Sequence, residues 1–149
     1  INDALKVCSG RIIHYLADDD YYPIDRLRTF DELFSTPTIM AGYGRLIYVG
    51  RDREKTGERF PYGPWAADGC KFPFSALDHN QVAHRREVLE KVPQWPTAGR
   101  PDDFALDGYF FMDIANFWPF MPIDRIVGYK RIHGLNLQWT QGRSTTERE

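Results

Sequence analysis

The 149-residue sequence has no block of Lys and Arg, and its 19 basic and 21 acidic residues nearly cancel to a formal net charge of −2. Proteins that follow a nucleic-acid backbone gather basic residues in a stripe, because each contact neutralises a phosphate. A net charge so close to zero also creates no general field that would attract a polyanion. We therefore expect no nucleic-acid partner.

Long apolar runs are absent as well. No segment approaches the ~20 apolar residues that cross a bilayer, and no charged-then-apolar leader resembles a secretion signal. With 42% apolar residues the composition is that of a globular protein, and the length is that of one domain. We expect a cytoplasmic protein without a transmembrane segment.

Cysteine is scarce, and the two residues, Cys8 and Cys70, lie far apart in the sequence. They form no C-x-x-C pair, so their spacing argues against a structural zinc site. Reduced thiols of this kind are typical of a reducing compartment. We expect both cysteines to be small core residues rather than reactive groups.

What the sequence does contain is a short apolar run, residues 11–16, followed by Asp18, Asp19 and Asp20. Its Ile, Tyr and Leu side chains are typical of a buried strand, and open α/β sheets bind ligands at the carboxyl ends of their strands. Three adjacent carboxylates repel one another by on the order of 3 kcal/mol per pair at ~6 Å and an effective dielectric of ~20. A bound Mg²⁺ or Mn²⁺ ion would relieve that repulsion. A solvated acidic turn that caps the next helix is the alternative interpretation.

Hydrophobic spacing predicts helices and strands along the rest of the chain. The predicted order is a helix that ends near Gly10, the acidic strand, a helix over 23–35, short strands at 39–41 and 45–49 around Gly42 and Gly44, a loop or irregular hairpin over 50–74, a brief strand at 81–83, a helical segment at 86–92, a helix from Asp102 or Asp103 to Phe117, and a closing strand at 123–132. We predict that the acidic strand is central and that the helices at 23–35 and 103–117 flank it. The polar tail over 140–149 is expected to be disordered.

Several short motifs follow one another in the order found in one enzyme family. They are Asn2-Asp3-Ala4-Leu5, Ser9-Gly10, the acidic run, Arg26-Leu27, His84-Arg85-Arg86-Glu87-Val88-Leu89, Leu106-Asp107 and Tyr129-Lys130-Arg131-Ile132-His133. In this order the sequence resembles the central and C-terminal part of a GT-A glycosyltransferase, most like family two, and the acidic run resembles its DXD-type motif. The resemblance extends from about residue 2 to residue 133.

The resemblance implies a single α/β domain over residues 1–139 with the GT-A, or nucleotide-diphospho-sugar transferase, fold. The chain would form the C-terminal portion of a mixed sheet flanked by helices. The family's first ~100 residues, which form the opening βαβ units, have no counterpart in this sequence. We therefore expect a missing N-terminal half, possessed by the natural protein or supplied by another chain.

The resemblance also implies an activity. A metal-dependent and inverting glycosyltransferase of hexosyltransferase type would move a sugar from a nucleotide-diphosphate sugar to a carbohydrate or other hydroxyl acceptor. The cofactor would be Mn²⁺ or Mg²⁺, which stabilises the diphosphate leaving group.

Residue roles carry over from the same family motifs. When the family's acidic motif is aligned by its distance from Leu27, Asp19 falls at the position of the metal-binding Asp. When the three consecutive acids are aligned directly, Asp20 is favoured at that position. The implied roles are metal ligation by Asp19, Asp20 and His133, donor binding by Asp18, Asp19, Arg85 and Arg86, and proton acceptance by Asp107, with Asp102 and Asp103 as rival acids on the acceptor side. Asp107 follows Leu106 at the edge of an apolar helix face.

Two other classes of function stay open. A metal-dependent phosphoesterase would gather acids and imidazoles around an ion, and His79, His84 and His133 are available, although no HxH or HxD cluster occurs. A non-catalytic fragment that binds a cation or a partner is the second alternative. Product analysis with a panel of nucleotide sugars separates the three classes.

Overall fold

The computed structural model describes residues 1–50, 68–96 and 106–132, together with the backbone of 55–59. Its elements in chain order are α1 (Asn2–Val7), β1 (Ile12–His14), α2 (Arg26–Leu33), β2 (Ala41–Val49), β3 (Lys55–Arg59), the 3-10 helix η1 (His79–Gln81), β4 (Val82–Arg85), the 3-10 helix η2 (Arg86–Glu90), α3 (Leu106–Ala115) and β5 (Phe120–Arg131). The predicted α/β class is confirmed. The tail at 140–149 and the predicted site residues Asp102, Asp103 and His133 lie outside the described residues.

In the described ranges, no helix has the length and apolarity that a membrane crossing requires.

The strands form one five-stranded mixed sheet around β2. β2 pairs antiparallel with β4 and with β3, and parallel with β5 along most of its length. β1 pairs antiparallel with the outer side of β4, which makes it an edge strand among the described strands. The prediction of a central acidic strand is therefore wrong for this part of the chain. Ile13 and Tyr15 are buried by residues packed on the faces of the sheet.

The two strands predicted around Gly42 and Gly44 are one continuous strand, β2. The two glycines allow neighbouring elements to pack closely against β2 and do not form a turn. A Cβ on Gly44 would lie 2.5 Å from a methyl carbon of Val127 and 2.8 Å from the carbonyl oxygen of Arg125, both on β5. A Cβ on Gly42 would lie 2.3 Å from Leu33 of α2. Both positions therefore exclude a side chain that would push a neighbouring element away.

Helices cover both faces of the sheet. α3 packs Phe110, Phe111 and Ile114 into the larger core cluster, which also contains Tyr15 and Trp95. On the other face, α2 packs Phe30 and Phe34 against Ala83 and Val127 in a smaller cluster. The predicted flanking helices are thus confirmed, with α2 beginning later than the predicted residue 23.

Three predicted core positions are exposed. The side chains of Leu16 and Leu27 are 53% and 63% exposed, and the thiol-bearing residue Cys8 is also at the surface. Leu27 turns outward because the buried face of α2 is formed by Arg26, Thr29 and Phe30. The expectation that these residues fill the core is therefore wrong.

Arg26 is buried although it carries a guanidinium group, with 1% of its surface exposed. Its Nη1 donates to the carbonyl oxygen of Asn80 at 2.6 Å and to that of Val127, and its Nη2 donates to Val82 O at 2.8 Å. The group lies 3.8 Å from the centre of the Tyr22 ring, an arrangement favourable for a cation over an aromatic face. Burial lowers the pKa of Arg26 to about 10, so the side chain stays charged at neutral pH.

We predict that Arg26→Met lowers the free energy of unfolding by about 3 kcal/mol or more, because three buried carbonyl groups each lose a donor. Arg28→Met is the matched control, since Arg28 lies exposed on the same helix, and it should change stability by less than about 0.5 kcal/mol. Urea denaturation followed by circular dichroism measures both values. If Arg26→Met does not fold, Arg26→Lys should fold with an intermediate loss. Equal stability of the Arg26→Met and Arg28→Met proteins would contradict the assigned role.

Candidate active site

The acidic loop that follows β1 is fixed to β5. Asp18 is exposed, whereas Asp19 and Asp20 are half-buried. Just after them, Tyr21 N donates to Tyr129 O at 3.2 Å and Tyr129 N donates to Tyr21 O at 2.9 Å. The two tyrosine rings stack with their centres 4.8 Å apart. The loop is therefore held where β5 approaches its carboxyl end.

Asp20 uses both carboxylate oxygens within the protein. Its Oδ1 accepts the backbone N–H of Arg131 at 2.8 Å, and its Oδ2 accepts a hydrogen bond from Nδ2 of Asn80. Burial raises the pKa of Asp20, and the nearby charges of Asp19 and Asp78 raise it further against the effect of the Arg131 N–H and of Lys130. The loop thus carries negative charge that its surroundings only partly compensate.

Asn80 of η1 connects the acidic loop to the sheet. Its side chain is buried, and its Oδ1 accepts the backbone N–H of Ala17 at 3.1 Å while its Nδ2 donates to Asp20. Its own carbonyl oxygen accepts from Arg26. Both ends of the acidic loop therefore depend on one amide side chain, which Arg26 holds in place.

A buried ion pair connects η1 to β5. Asp78 precedes η1 and pairs with Lys130 of β5, and the two residues are 3% and 8% exposed. Asp78 also caps η1 by accepting the N–H of Asn80 at 3.0 Å, while Gln81 Oε1 accepts the N–H of Asp78. Burial alone would raise the pKa of Asp78, but Lys130 and then His79 lower it below its usual value. Asp78 is therefore ionised and rigidly held.

Asp107 lies in the first turn of α3, where a carboxylate is favoured by the helix dipole. Its Oδ1 accepts the N–H of Gly108 at 2.8 Å. Its Oδ2 lies 3.4 Å from Nδ1 of His79, the first residue of η1. The predicted proton acceptor therefore contacts the same short helix that holds the acidic loop.

The structure thus brings part of the predicted site together around η1. Neighbouring residues His79 and Asn80 reach Asp107 and Asp20, which lie 28 and 60 positions away in sequence. Asp18 and Asp19 belong to the same acidic loop. The predicted metal and acceptor-side residues His133, Asp102 and Asp103 are not among the described residues.

The predicted donor-binding arginines have other contacts. Arg85 donates from Nε to Ile39 O at 2.8 Å and from Nη2 to the carbonyl oxygens of Phe34 and Thr36, which holds the end of α2. Arg86 lines a cavity of about 300 Å³ together with Leu5 and Cys8. A role of either arginine in donor binding stays a prediction.

His84, one of the histidines available to a phosphoesterase, is 0% exposed. Its Nδ1 lies 2.7 Å from Arg85 O and its Nε2 lies 2.6 Å from the Tyr15 hydroxyl, so both ring nitrogens are occupied. Burial lowers the pKa of His84 to about 4. This histidine is a core residue.

Metal binding also stays a prediction. Among the described residues, no group of three or more His, Cys, Asp or Glu side chains is arranged to hold a metal ion. The chemistry of the acidic loop nevertheless fits a hard divalent cation, because each oxygen of Asp20 accepts one N–H and a carboxylate oxygen has two acceptor positions. The Asp19 carboxylate is close enough to raise the pKa of Asp20.

Similar folds occur among solved structures. TarS 1–349 of S. aureus superimposes with a TM-score of 0.63 at 16% sequence identity, over 87% of this chain and 38% of TarS 1–349. The same protein in complex with UDP-GlcNAc gives a TM-score of 0.60 over 89% of this chain. The chain has the GT-A fold. The fold that the motif resemblance implies is thereby confirmed.

Two curated proteins are similar to the chain in sequence, although no protein-family model matches it. Protein CgeD of Bacillus subtilis is 29% identical over 134 residues, which is 85% of this chain and 31% of CgeD. The uncharacterized glycosyltransferase alr2836 of Nostoc sp. is 25% identical over 161 residues, which is 99% of this chain and 48% of that protein. The chain therefore spans less than half the length of either relative.

Several contacts of the candidate site were not predicted from the sequence. They involve Asp78, His79 and Asn80, together with the buried Arg26 and Lys130. The polar run 78–81 directly before an apolar strand was the available signal, because an Asp followed three residues later by Gln is typical of a capping box.

We predict that Asn80→Ala loosens the acidic loop, since the Ala17 N–H and the Asp20 carboxylate lose their shared partner. Amide hydrogen exchange of Ala17 should become at least about tenfold faster, and the free energy of unfolding should fall by about 1–3 kcal/mol. Asn116→Ala is the matched control, because Asn116 is exposed. Unchanged exchange at Ala17 in the Asn80→Ala protein would show that Asn80 does not hold the loop.

Proposed function

We propose that the chain is part of an inverting, metal-dependent glycosyltransferase of hexosyltransferase type. The observation that carries this proposal is the position of η1, which joins the acidic loop through Asn80 and joins Asp107 through His79. A transferase needs both groups in one place, because negative charge develops on the leaving diphosphate while the acceptor hydroxyl loses its proton. The glycosyltransferase relative and the GT-A fold support the same class.

The proposed donor is a nucleotide-diphosphate sugar. TarS has been solved in complex with UDP and with UDP-GlcNAc, and the fold shared with TarS supports this class of donor. The acceptor would be a carbohydrate or another molecule with a free hydroxyl group. The proposal includes a cytoplasmic location. It also includes a further segment that holds the nucleotide base and is either encoded by the same gene or supplied by a partner chain.

The proposed cofactor is Mn²⁺ or Mg²⁺. Asp19 and Asp20 of the DXD-type loop would hold it, with His133 as the third protein ligand. When bound, the ion neutralises charge on the diphosphate oxygens, as divalent cations do in phosphoryl and glycosyl transfer. Asn80 and the Arg131 N–H keep the Asp20 carboxylate oriented for this task.

The pair formed by Asp107 and His79 is the proposed source of the catalytic base. Its two members lie 3.4 Å apart and are each about one quarter exposed, with side-chain exposures of 23% and 28%. Partial exposure leaves the pair accessible to an acceptor hydroxyl.

Product analysis tests the reaction class. The protein as its natural gene encodes it, incubated with Mn²⁺ and a panel of nucleotide-diphosphate sugars and hydroxyl acceptors, should release nucleoside diphosphate and form a glycosylated product whose anomeric configuration is inverted. Nuclear magnetic resonance of the product establishes the configuration. Hydrolysis of phosphate esters without sugar transfer would indicate a phosphoesterase, and the lack of any product across the panel would contradict the proposed activity.

Calorimetry tests the metal site. We expect Asp19→Asn or Asp20→Asn to weaken Mn²⁺ binding at least about tenfold, or about 1.4 kcal/mol, and binding in the unsubstituted protein to strengthen when UDP is present. Asp3→Asn is the control, because the Asp3 side chain is 97% exposed on α1. Unchanged Mn²⁺ affinity in both Asp19→Asn and Asp20→Asn would exclude the proposed site.

A further inference from the structure

His79 lies between two carboxylates that meet the same ring nitrogen. Its Nδ1 is 3.4 Å from Oδ2 of Asp107 and 3.8 Å from Oδ1 of Asp78. Ionised carboxylates only accept hydrogen bonds, so the hydrogen of the neutral imidazole is placed on Nδ1. The lone pair of the ring is then on Nε2.

The Nε2 atom is available for a substrate. Within the described ranges, every polar side-chain contact of His79 is made through Nδ1, and 28% of the side chain is exposed. Asp107 differs, because its Oδ1 accepts the Gly108 N–H and its Oδ2 faces His79, so each of its carboxylate oxygens already has one contact. Of the two residues, the histidine therefore offers the acceptor atom that has no polar contact among the described residues.

We propose that Nε2 of His79 accepts the proton of the acceptor hydroxyl and that Asp107 is the positioning residue that orients the ring. The proposal rests on the proposed glycosyl transfer, and it assigns to Asp107 a role different from the one predicted from the family motif. Pairs of this kind are common in enzymes, where a carboxylate on one imidazole nitrogen fixes the tautomer and stabilises the imidazolium formed at the other.

The electrostatic surroundings suit this role. Burial lowers the pKa of His79, but the hydrogen bond to Asp107 and the charges of Asp78 and Asp107 outweigh burial and the opposing charge of Lys130, and the pKa is raised above its usual value. A base whose pKa lies near the working pH combines a large deprotonated fraction with a strong tendency to take the proton. Asp107 on α3, Asp78 before η1 and Lys130 on β5 are the charged groups that act on the ring.

The chemical step balances without any further reactant. The acceptor oxygen forms a bond to the anomeric carbon of the sugar as its proton passes to Nε2 of His79. The bond from that carbon to the diphosphate oxygen breaks, and its electron pair leaves with the nucleoside diphosphate. The imidazolium, stabilised by Asp107 and Asp78, then returns its proton to solvent.

Substitution of each member of the pair tests the assignment in the protein as its gene encodes it. His79→Gln should lower kcat by about 10²–10⁴-fold with UDP affinity nearly unchanged. The kcat of the unsubstituted protein should rise with pH as His79 loses its proton. Asp107→Asn removes a negative charge, so the pKa of His79 should fall and the acid limb of the kcat profile should move to lower pH. Asp113→Asn on the same helix is the control and should leave the profile unchanged.

The opposite result identifies Asp107 as the base. In that case His79→Gln keeps kcat within about tenfold of the unsubstituted protein and keeps the acid limb of the profile. That result overturns the assignment to His79, whereas a loss of transfer in Asp107→Asn is also expected of a positioning residue.

A titration of the histidine ring signals by nuclear magnetic resonance provides a readout that does not depend on turnover. The His79 signal, assigned by its loss in His79→Gln, should titrate above the ordinary value of 6.5 and at a lower pH in Asp107→Asn. If the His79 signal titrates at the same pH in Asp107→Asn, Asp107 does not act on the ring, and the proposed pairing is overturned even if transfer is observed. If no nucleotide sugar is consumed while the titration shifts as expected, the proposed function fails and the coupling of the pair is supported.

Discussion

The described structure depends most on the hydrogen bonds that the buried guanidinium group of Arg26 donates. Its hydrogen bonds end on the carbonyl oxygens of Asn80, Val82 and Val127, which belong to η1, β4 and β5. A planar group with several fixed donors can satisfy such carbonyls from different segments at once, which an apolar side chain cannot do. The position of η1 against the sheet therefore follows from an interaction made by a helix on one face, and the site is arranged around η1.

The charged groups that contact η1 each have a partner at a short distance. Asp78 pairs with Lys130, and the Asp20 carboxylate receives an amide N–H from Asn80 and a backbone N–H from Arg131. Buried polar groups that are satisfied in this way hold a loop in one geometry, because any displacement leaves a group without its partner. If the proposed cation or donor binds here, this fixed geometry of the acidic loop reduces the cost of ordering it on binding.

The parts of the fold that could be predicted from the sequence are those in which apolar residues recur at regular intervals. The strand before the acidic loop, the apolar spacing of α3 and the closing strand all follow from the sequence pattern, since apolar residues recur at the intervals of a helix or a strand. The burial of Arg26 does not follow from the pattern, because a charged residue predicts a surface position. The exposure of Leu27 does not follow either, because the residue at which α2 starts sets which face of the helix is buried. The edge position of β1 depends on strand order, which no local pattern specifies.

The candidate site shows the same division. Asp20 and Asp107 were found because family motifs contain them, whereas His79 and Asn80 lie in a 3-10 helix of three residues, which is too short to give a periodic signal. Their partners are distant in sequence, so only the folded chain brings them together. Because adjacent residues of one rigid turn reach the acidic loop and α3, a displacement of η1 would disturb both contacts at once. In the proposed transferase, the groups at the leaving diphosphate and the groups that accept the proton would then be coupled through the backbone of η1, in keeping with the strict geometry that such a reaction requires.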